Sequence, residues 1–155
     1  MTTLLGFKLV PLGSVLINSA IKRLSENDTS SSSSHQAGFL IPKLFVKDGL
    51  FERLSDTELN PRRKLKFTDL SDNSVVFFNY IFYNNRLFEG TRLEYRLTGL
   101  TRWIKSHGLK AGDSIEFQRI DKYEYTIKVI KPQRRPVSLS EESWTVLYGK
   151  AKSYE

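Results

Sequence analysis

The chain has no cysteine and only two histidines, His35 and His107, among its 155 residues. That excludes disulfides, thiolate zinc sites and cysteine nucleophiles, and leaves too few imidazoles for a histidine-rich metal centre. No Asp or Glu is followed two residues later by Lys, the spacing with which a common class of magnesium-dependent nuclease sets a lysine beside metal and phosphate. His35 is followed by Gln36-Ala37 and His107 by Gly108-Leu109, so a His-x-Lys nuclease motif is missing as well. A Gly-x-x-x-x-Gly-Lys phosphate loop is also absent, and nothing links a serine, a histidine and an aspartate into a triad. No apolar run approaches the ~20 residues of a membrane-spanning helix. Met1 to Ile17 is apolar but broken by Lys8, Pro11 and Gly13, with no basic leader, so a cytoplasmic protein with no membrane partner is expected.

What is present is positive charge and aromatic β-structure. Lys and Arg number 24 against 17 Asp and Glu, a formal charge of +7, which favours a polyanionic partner: nucleic acid first, with acidic membranes or proteins as the alternatives that charge alone leaves open. The excess is clustered at Arg62 to Lys66, Arg86 to Arg102 and Lys131 to Arg135. The chain length fits one domain with a real core.

Hydrophobic patterning predicts mostly strands. Ser14 to Leu24 reads as a strand or short helix, Gly38 to Ile41 as a strand ended by Pro42, and Lys43 to Leu50 as a short helix stopped at Gly49. Lys64 to Leu70 is a strand, and Val75 to Tyr83 (VVFFNYIFY) is expected at the centre of the sheet, buried on both faces. Leu100, Trp103, Ile104 and His107 recur at helical spacing before Gly108, which gives His107 a core or helix-end role. Ser114 to Ile120 and Tyr123 to Val129 form a hairpin about Asp121 and Lys122, and Trp144 to Tyr148 adds a further strand.

Two polar stretches interrupt this pattern: Ile21 to Gly38 (IKRLSENDTSSSSSHQAG) and Tyr83 to Leu97 (YNNRLFEGTRLEYRL). Either alone is compatible with a solvated loop, and the serine tract Ser30 to Ser34 with a mobile tip. Together they carry the side chains that match base edges in a major groove: Arg for guanine, Asn or Gln for adenine, a carboxylate for cytosine. Arg92, Glu94 and Arg96, spaced by two, share one face of an extended segment.

Arg102 to Phe117 (RWIKSHGLKAGDSIEF) and Gly38 to Lys43 (GFLIPK) resemble the scaffold motifs of the B-three DNA-binding pseudobarrel superfamily. The arms are more specific. Ile21, Lys22, Arg23, Leu24, Ser25, Asn27, Asp28, Thr29, His35, Gln36 and Gly38 stand in register with the amino-terminal effector domain of EcoRII-like restriction endonucleases. Tyr83, Asn84, Arg86, Phe88, Thr91, Arg92, Glu94 and Arg96 match that family's second arm, and Thr57 to Pro61 a further piece. Ser30 to Ser34 replace a glycine-rich tip, and Gly90 and Tyr95 stand where the family carries lysine.

The resemblance implies a mainly β, seven-stranded pseudobarrel with two short helices over residues 1–131, and a strand or linker over 132–155 towards a nuclease domain absent from this chain. It implies a monomeric, non-catalytic module of a bacterial type IIE enzyme that grips double-stranded DNA in the major groove. No cofactor is expected for binding, Mg2+ belonging only to the separate nuclease. Base reading falls to Arg23, Asn27, Asp28, His35, Gln36, Arg86, Arg92, Glu94 and Arg96. Backbone contact falls to Lys22, Ser25, Thr29, Lys43, Arg62, Arg63, Asn84, Asn85, Thr91 and Lys105. The rival expectation is a transcription regulator on the same scaffold.

Overall fold

The computed structural model describes the backbone of residues 2–3, 10–11, 15–29, 38–130 and 144–150, and the side chains of 16–29, 38–130 and 144–146. Strands β1 (Thr2–Thr3) and β2 (Val10–Pro11) form a small ribbon. The remaining strands are β3 (Val15–Arg23), β4 (Phe39–Ile41), β5 (Arg62–Asp69), β6 (Val75–Tyr83), β7 (Glu94–Thr98), β8 (Ser114–Asp121), β9 (Glu124–Ile130) and β10 (Trp144–Lys150). They make one sheet in the order β10-β3-β8-β9-β5-β6-β7-β4, antiparallel except for the parallel pair β5 and β9. Helices α1 (Glu26–Thr29), α2 (Lys43–Lys47) and α3 (Thr101–Ser106) and a 3-10 turn (Asn85–Phe88) are all short.

The mainly β architecture matches the sequence expectation: the sheet has seven strands, β3 to β9, within residues 15–130, and its eighth is the strand expected near Trp144. The additional one, β10, pairs along β3 from Trp144 opposite Lys22 to Lys150 opposite Val15 and covers an edge that would otherwise stay open. The sheet curls. Trp144, on one edge strand, donates from Nε1 to the carbonyl of Leu40 on the other at 3.3 Å and sets its ring 5.2 Å from Phe45 and 6.1 Å from Phe39.

Inside the curl lies an aromatic core. Phe67 stacks on Tyr125 at 5.0 Å, Phe51 on Tyr125 at 5.3 Å, and Phe67 meets Phe78 at 4.9 Å. The buried tyrosine hydroxyls are satisfied by backbone: Tyr125 donates to Leu50 O at 2.7 Å and Tyr80 to Glu52 O at 2.9 Å.

β6 is interior, between β5 and β7, but it is not buried on both faces throughout. Val75 and Phe77 are exposed on the outer face, and burial on both faces is unbroken only over Tyr80, Ile81 and Phe82. An apolar run alone does not reveal which half of a strand has a covering layer. The two expected helices are α2 and α3; α1 and the 3-10 turn are further turns, both within the polar arms. As read from spacing, His107 terminates α3, with Nδ1 2.8 Å from Trp103 O.

Candidate nucleic-acid interface

The first arm leaves β3 at Arg23 and is tied at its root to the turn before β8. Leu24 N donates to Asp113 O and Gly112 N to Leu24 O, both at 2.8 Å. α1 follows as a capping box. Ser25 N donates to Asp28 Oδ2 at 2.8 Å and Asp28 N donates to Ser25 Oγ at 3.3 Å, so each residue satisfies a donor of the other. Lys22 Nζ lies 3.3 Å from the same Asp28 oxygen and 5.3 Å from the Phe39 ring centroid. Thr29 donates back to Ser25 O at 3.2 Å.

Four expected contact residues, Lys22, Ser25, Asp28 and Thr29, thus build the arm internally. Asn27 is exposed, and Arg23 is half-buried beside Gly112. His35, Gln36 and the serine tract lie outside the described residues.

The first arm re-enters the sheet at Gly38, whose φ of +84° and contact with the Leu97 carbonyl leave no room for a Cβ. From there β4 runs beside β7, with Phe39 opposite Leu97 and Ile41 opposite Tyr95. The second arm joins the same strand at Glu94. From Glu94 to Thr98 is four residue-to-residue steps, about 13 Å of extended chain, close to the ~12 Å width of a major groove.

The second arm is held at its base by Asn84, which is fully buried. Its Oδ1 accepts Asn60 N at 2.7 Å and its Nδ2 donates to Glu58 O at 2.7 Å and Ser55 O at 3.3 Å. Expected at the DNA backbone, Asn84 is instead a clamp onto the 55–60 loop, because its amide has no solvent-facing atoms. Asn85 is also structural. Its Oδ1 accepts Arg92 N at 2.6 Å and its carbonyl accepts Gly90 N at 2.6 Å, closing the loop that carries exposed Arg86 and Thr91.

At the strand start three side chains form a ladder. Glu94 Oε1 accepts from Arg92 Nη2 at 2.5 Å, from Arg92 Nε at 3.1 Å and from Arg96 Nε at 3.1 Å. Exposure falls along it, with Arg92 at 43%, Glu94 at 27% and Arg96 at 8%. The spacing by two therefore does put them together. Burial works to raise the Glu94 carboxyl, but the hydrogen bonds and charges of Arg92 and Arg96 outweigh it and hold it below the ordinary value. Arg92 also stacks over the Tyr83 ring at 3.9 Å. Tyr95 points the other way, stacked on Phe82 at 4.2 Å in the core, so its replacement of a family lysine does not alter this face.

Of the remaining cations, Lys43, Arg62, Arg63 and Lys105 are exposed. Arg63 lies 3.6 Å from the Tyr123 ring centroid, and Lys122 lies 5.6 Å from the same ring. Sequence reading did not associate Lys122 with Arg63, because the parallel pairing of β5 with β9 that unites them is non-local. Among the described residues no group of three His, Asp or Glu side chains could hold a metal ion, and no helix is long and apolar enough to cross a membrane.

Known proteins share both sequence and fold with this chain. The Type II restriction enzyme EcoRII of Escherichia coli is 38% identical over 91 residues, which cover 56% of this chain and 21% of that enzyme, so the chain spans about a fifth of the length of that relative. Two solved structures superpose with TM-scores of 0.54. The Arabidopsis FUS3-DNA complex is 24% identical and covers 73% of this chain and 96% of its own. The UbaLAI restriction endonuclease B3 domain with cognate DNA is 15% identical and covers 92% and 91%. The family model described as "Restriction endonuclease EcoRII, N-terminal" matches residues 14–108, a stretch that takes in both arms and the Trp103 helix. With more than half its length matched in this way, the chain belongs to the family of the amino-terminal domain of the restriction endonuclease EcoRII.

Proposed function

We propose that this chain binds double-stranded DNA sequence-specifically, as the effector or recognition module of a type IIE restriction endonuclease whose cutting is done by a separate, covalently linked nuclease domain requiring Mg2+. The observation that carries the reading is the Arg92–Glu94–Arg96 ladder at the root of one arm, with the root of the other about 13 Å away along β7. Two arms so spaced enter one major groove. Two solved relatives of the same fold, the Arabidopsis FUS3-DNA complex and the UbaLAI B3 domain with cognate DNA, support this reading.

The division of labour follows from what each side chain already does. Exposed Arg86, Arg92 and Asn27 and half-buried Arg23 read base edges, and the sequence pattern assigns His35 and Gln36 the same role. Glu94 orients its two arginines and meets a cytosine amino group through Oε2. Asp28 and Asn85 shape their arms, while Lys43, Arg62, Arg63, Thr91 and Lys105 contact phosphates. The domain acts as a monomer in the bacterial cytoplasm and is not itself catalytic.

Binding of the chain to a duplex selected from a random pool, against a scrambled duplex, tests this. Arg92→Ala should lower affinity for the selected duplex by about 1 to 3 kcal/mol and barely alter binding to the scrambled one. Equal loss on both duplexes would reduce Arg92 to a backbone contact, and plasmid cleavage by the isolated chain with Mg2+ would overturn the binder reading.

A further inference from the structure

The second arm carries three large apolar residues beyond the strand, and only one is used by the fold. Leu93 packs against the core, whereas Leu87 and Phe88, in the 3-10 turn at the tip, are 52% and 45% exposed. The turn is rigidly built. Leu87 N donates to Asn84 O and Arg86 N to Arg92 O, both at 2.9 Å, and Glu89 closes it in the left-handed region at φ +72°. Asn85 is turned into the loop by the bond from Arg92 N to its Oδ1, whereas Leu87 and Phe88 both keep about half their surface open. Two adjacent apolar side chains are thus displayed between Arg86 and Arg92 on an otherwise polar arm.

We propose that Leu87 and Phe88 are specificity determinants that contact thymine 5-methyl groups in the major groove. The inference rests on the DNA-binding reading above. Arg86 and Arg92 flank the pair against a single acidic residue, Glu89, so the tip is net positive and complementary to a polyanion. Within a major groove the apolar feature offered by a base edge is the thymine methyl, which hydrogen-bonding side chains cannot register. Insertion between base steps, the other use of exposed apolar residues on DNA, belongs to minor-groove binders. The hydrogen-bonding side chains of this same arm require the major groove.

The test uses the full chain and the duplex selected from a random pool, with each thymine replaced in turn by deoxyuridine, which removes only the methyl. Binding is read by fluorescence anisotropy. One or two replacements should weaken wild-type binding about fourfold, the change expected for one buried methyl. The same replacements should have no effect on Leu87→Ala or Phe88→Ala, while Leu87→Met, which keeps an apolar tip, stays sensitive. The slope of affinity against salt should be unchanged in all three variants, since no phosphate contact is removed.

A wild type that prefers the selected duplex yet ignores every methyl would overturn the assignment, as would methyl sensitivity that persists in both alanine variants, or a selected duplex without thymine. Should either alanine variant fail to fold, Leu87→Gln or Phe88→Gln, which keeps a long side chain but a polar tip, takes its place and should likewise lose the methyl sensitivity. No preference for the selected over the scrambled duplex would instead remove the sequence-specific reading, and this contact with it.

Discussion

His107 Nε2 lies 2.7 Å from Asp69 Oδ2, joining the end of α3 to the end of β5. The same carboxylate oxygen accepts Trp103 Nε1 at 3.0 Å, while Ser71 donates to Oδ1 from both backbone and side chain. Burial alone would raise the Asp69 carboxyl. The Ser71 and Trp103 donors, with His107 beside them, outweigh burial and hold it below its ordinary 3.8. A depressed folded-state value means that the stabilisation is fully present above pH 3.8 and is lost as pH falls through the lower folded value. Asp69→Ala should therefore cost about 3 kcal/mol in urea unfolding at neutral pH, since it leaves buried donors unpaired. The acid limb of stability against pH should be flatter in the variant; an unchanged limb would mean that Asp69 is not the group being titrated.

Much of this scaffold is readable from sequence because its signals are local. The helical recurrence of Trp103, Ile104 and His107 and the alternation of Tyr123 to Val129 correspond to α3 and β9. The Arg92–Glu94–Arg96 spacing likewise gives one shared face. Ser25 and Asp28 at capping-box spacing were a readable sign of α1 that composition alone obscured. What sequence could not give depends on distant pairings. Asn84 looks like any polar arm residue until the 55–60 loop closes over it. The exposure of Val75 and Phe77 depends on what covers the sheet, and the meeting of Trp144 with Leu40 depends on how it curls.

Trp144 is the means by which the last strand reaches both the sheet seam and the first arm. Its ring lies 5.8 Å from Lys22 Nζ, the group that holds Asp28, and edge-on to Phe45. Trp144→Ala should cost about 2 kcal/mol, less than for a fully enclosed tryptophan because the residue is half-buried. It should also weaken DNA binding, through a looser α1. Trp103→Phe leaves Trp144 as the remaining tryptophan, and its emission should then respond to duplex. An emission indifferent to saturating DNA would place the seam outside the binding response.

Gly90 is required by a close approach within the second arm. A Cβ there would come 2.6 Å from Asn85 Cγ and 2.8 Å from the Asn85 carbonyl oxygen, which already accepts Gly90 N. Backbone cannot yield as a flexible side chain would. Gly90→Ala should therefore leave global unfolding nearly unchanged, since the tip contributes little to the core, and lower specific DNA affinity by distorting the Asn85–Arg92 closure. Amide exchange confined to residues 85–92 would locate the effect; faster exchange across β5 and β6 would show a scaffold defect instead.

Glu94 decides whether the arginine ladder is preorganised. Its Oε1 takes three guanidinium hydrogen bonds, so the carboxylate fixes Arg92 and Arg96 in position before any ligand arrives and lowers the conformational entropy they would lose on binding. Glu94→Gln removes one negative charge, which by charge alone would strengthen attachment to any duplex. It also weakens charge-assisted hydrogen bonds, each worth roughly 1.5 to 3 kcal/mol. The two effects separate by sequence: affinity for the selected duplex should fall about tenfold while binding to the scrambled duplex holds or rises slightly. Acidification should act in the same direction on the wild type, because the carboxyl is held below its ordinary 4.5 and its orienting role is lost only as pH drops through that lowered value. The glutamine variant should lack this acid-side decline. If Glu94→Gln instead tightened both duplexes equally, the carboxylate would be acting only as a repulsive charge and the ladder would carry no specificity.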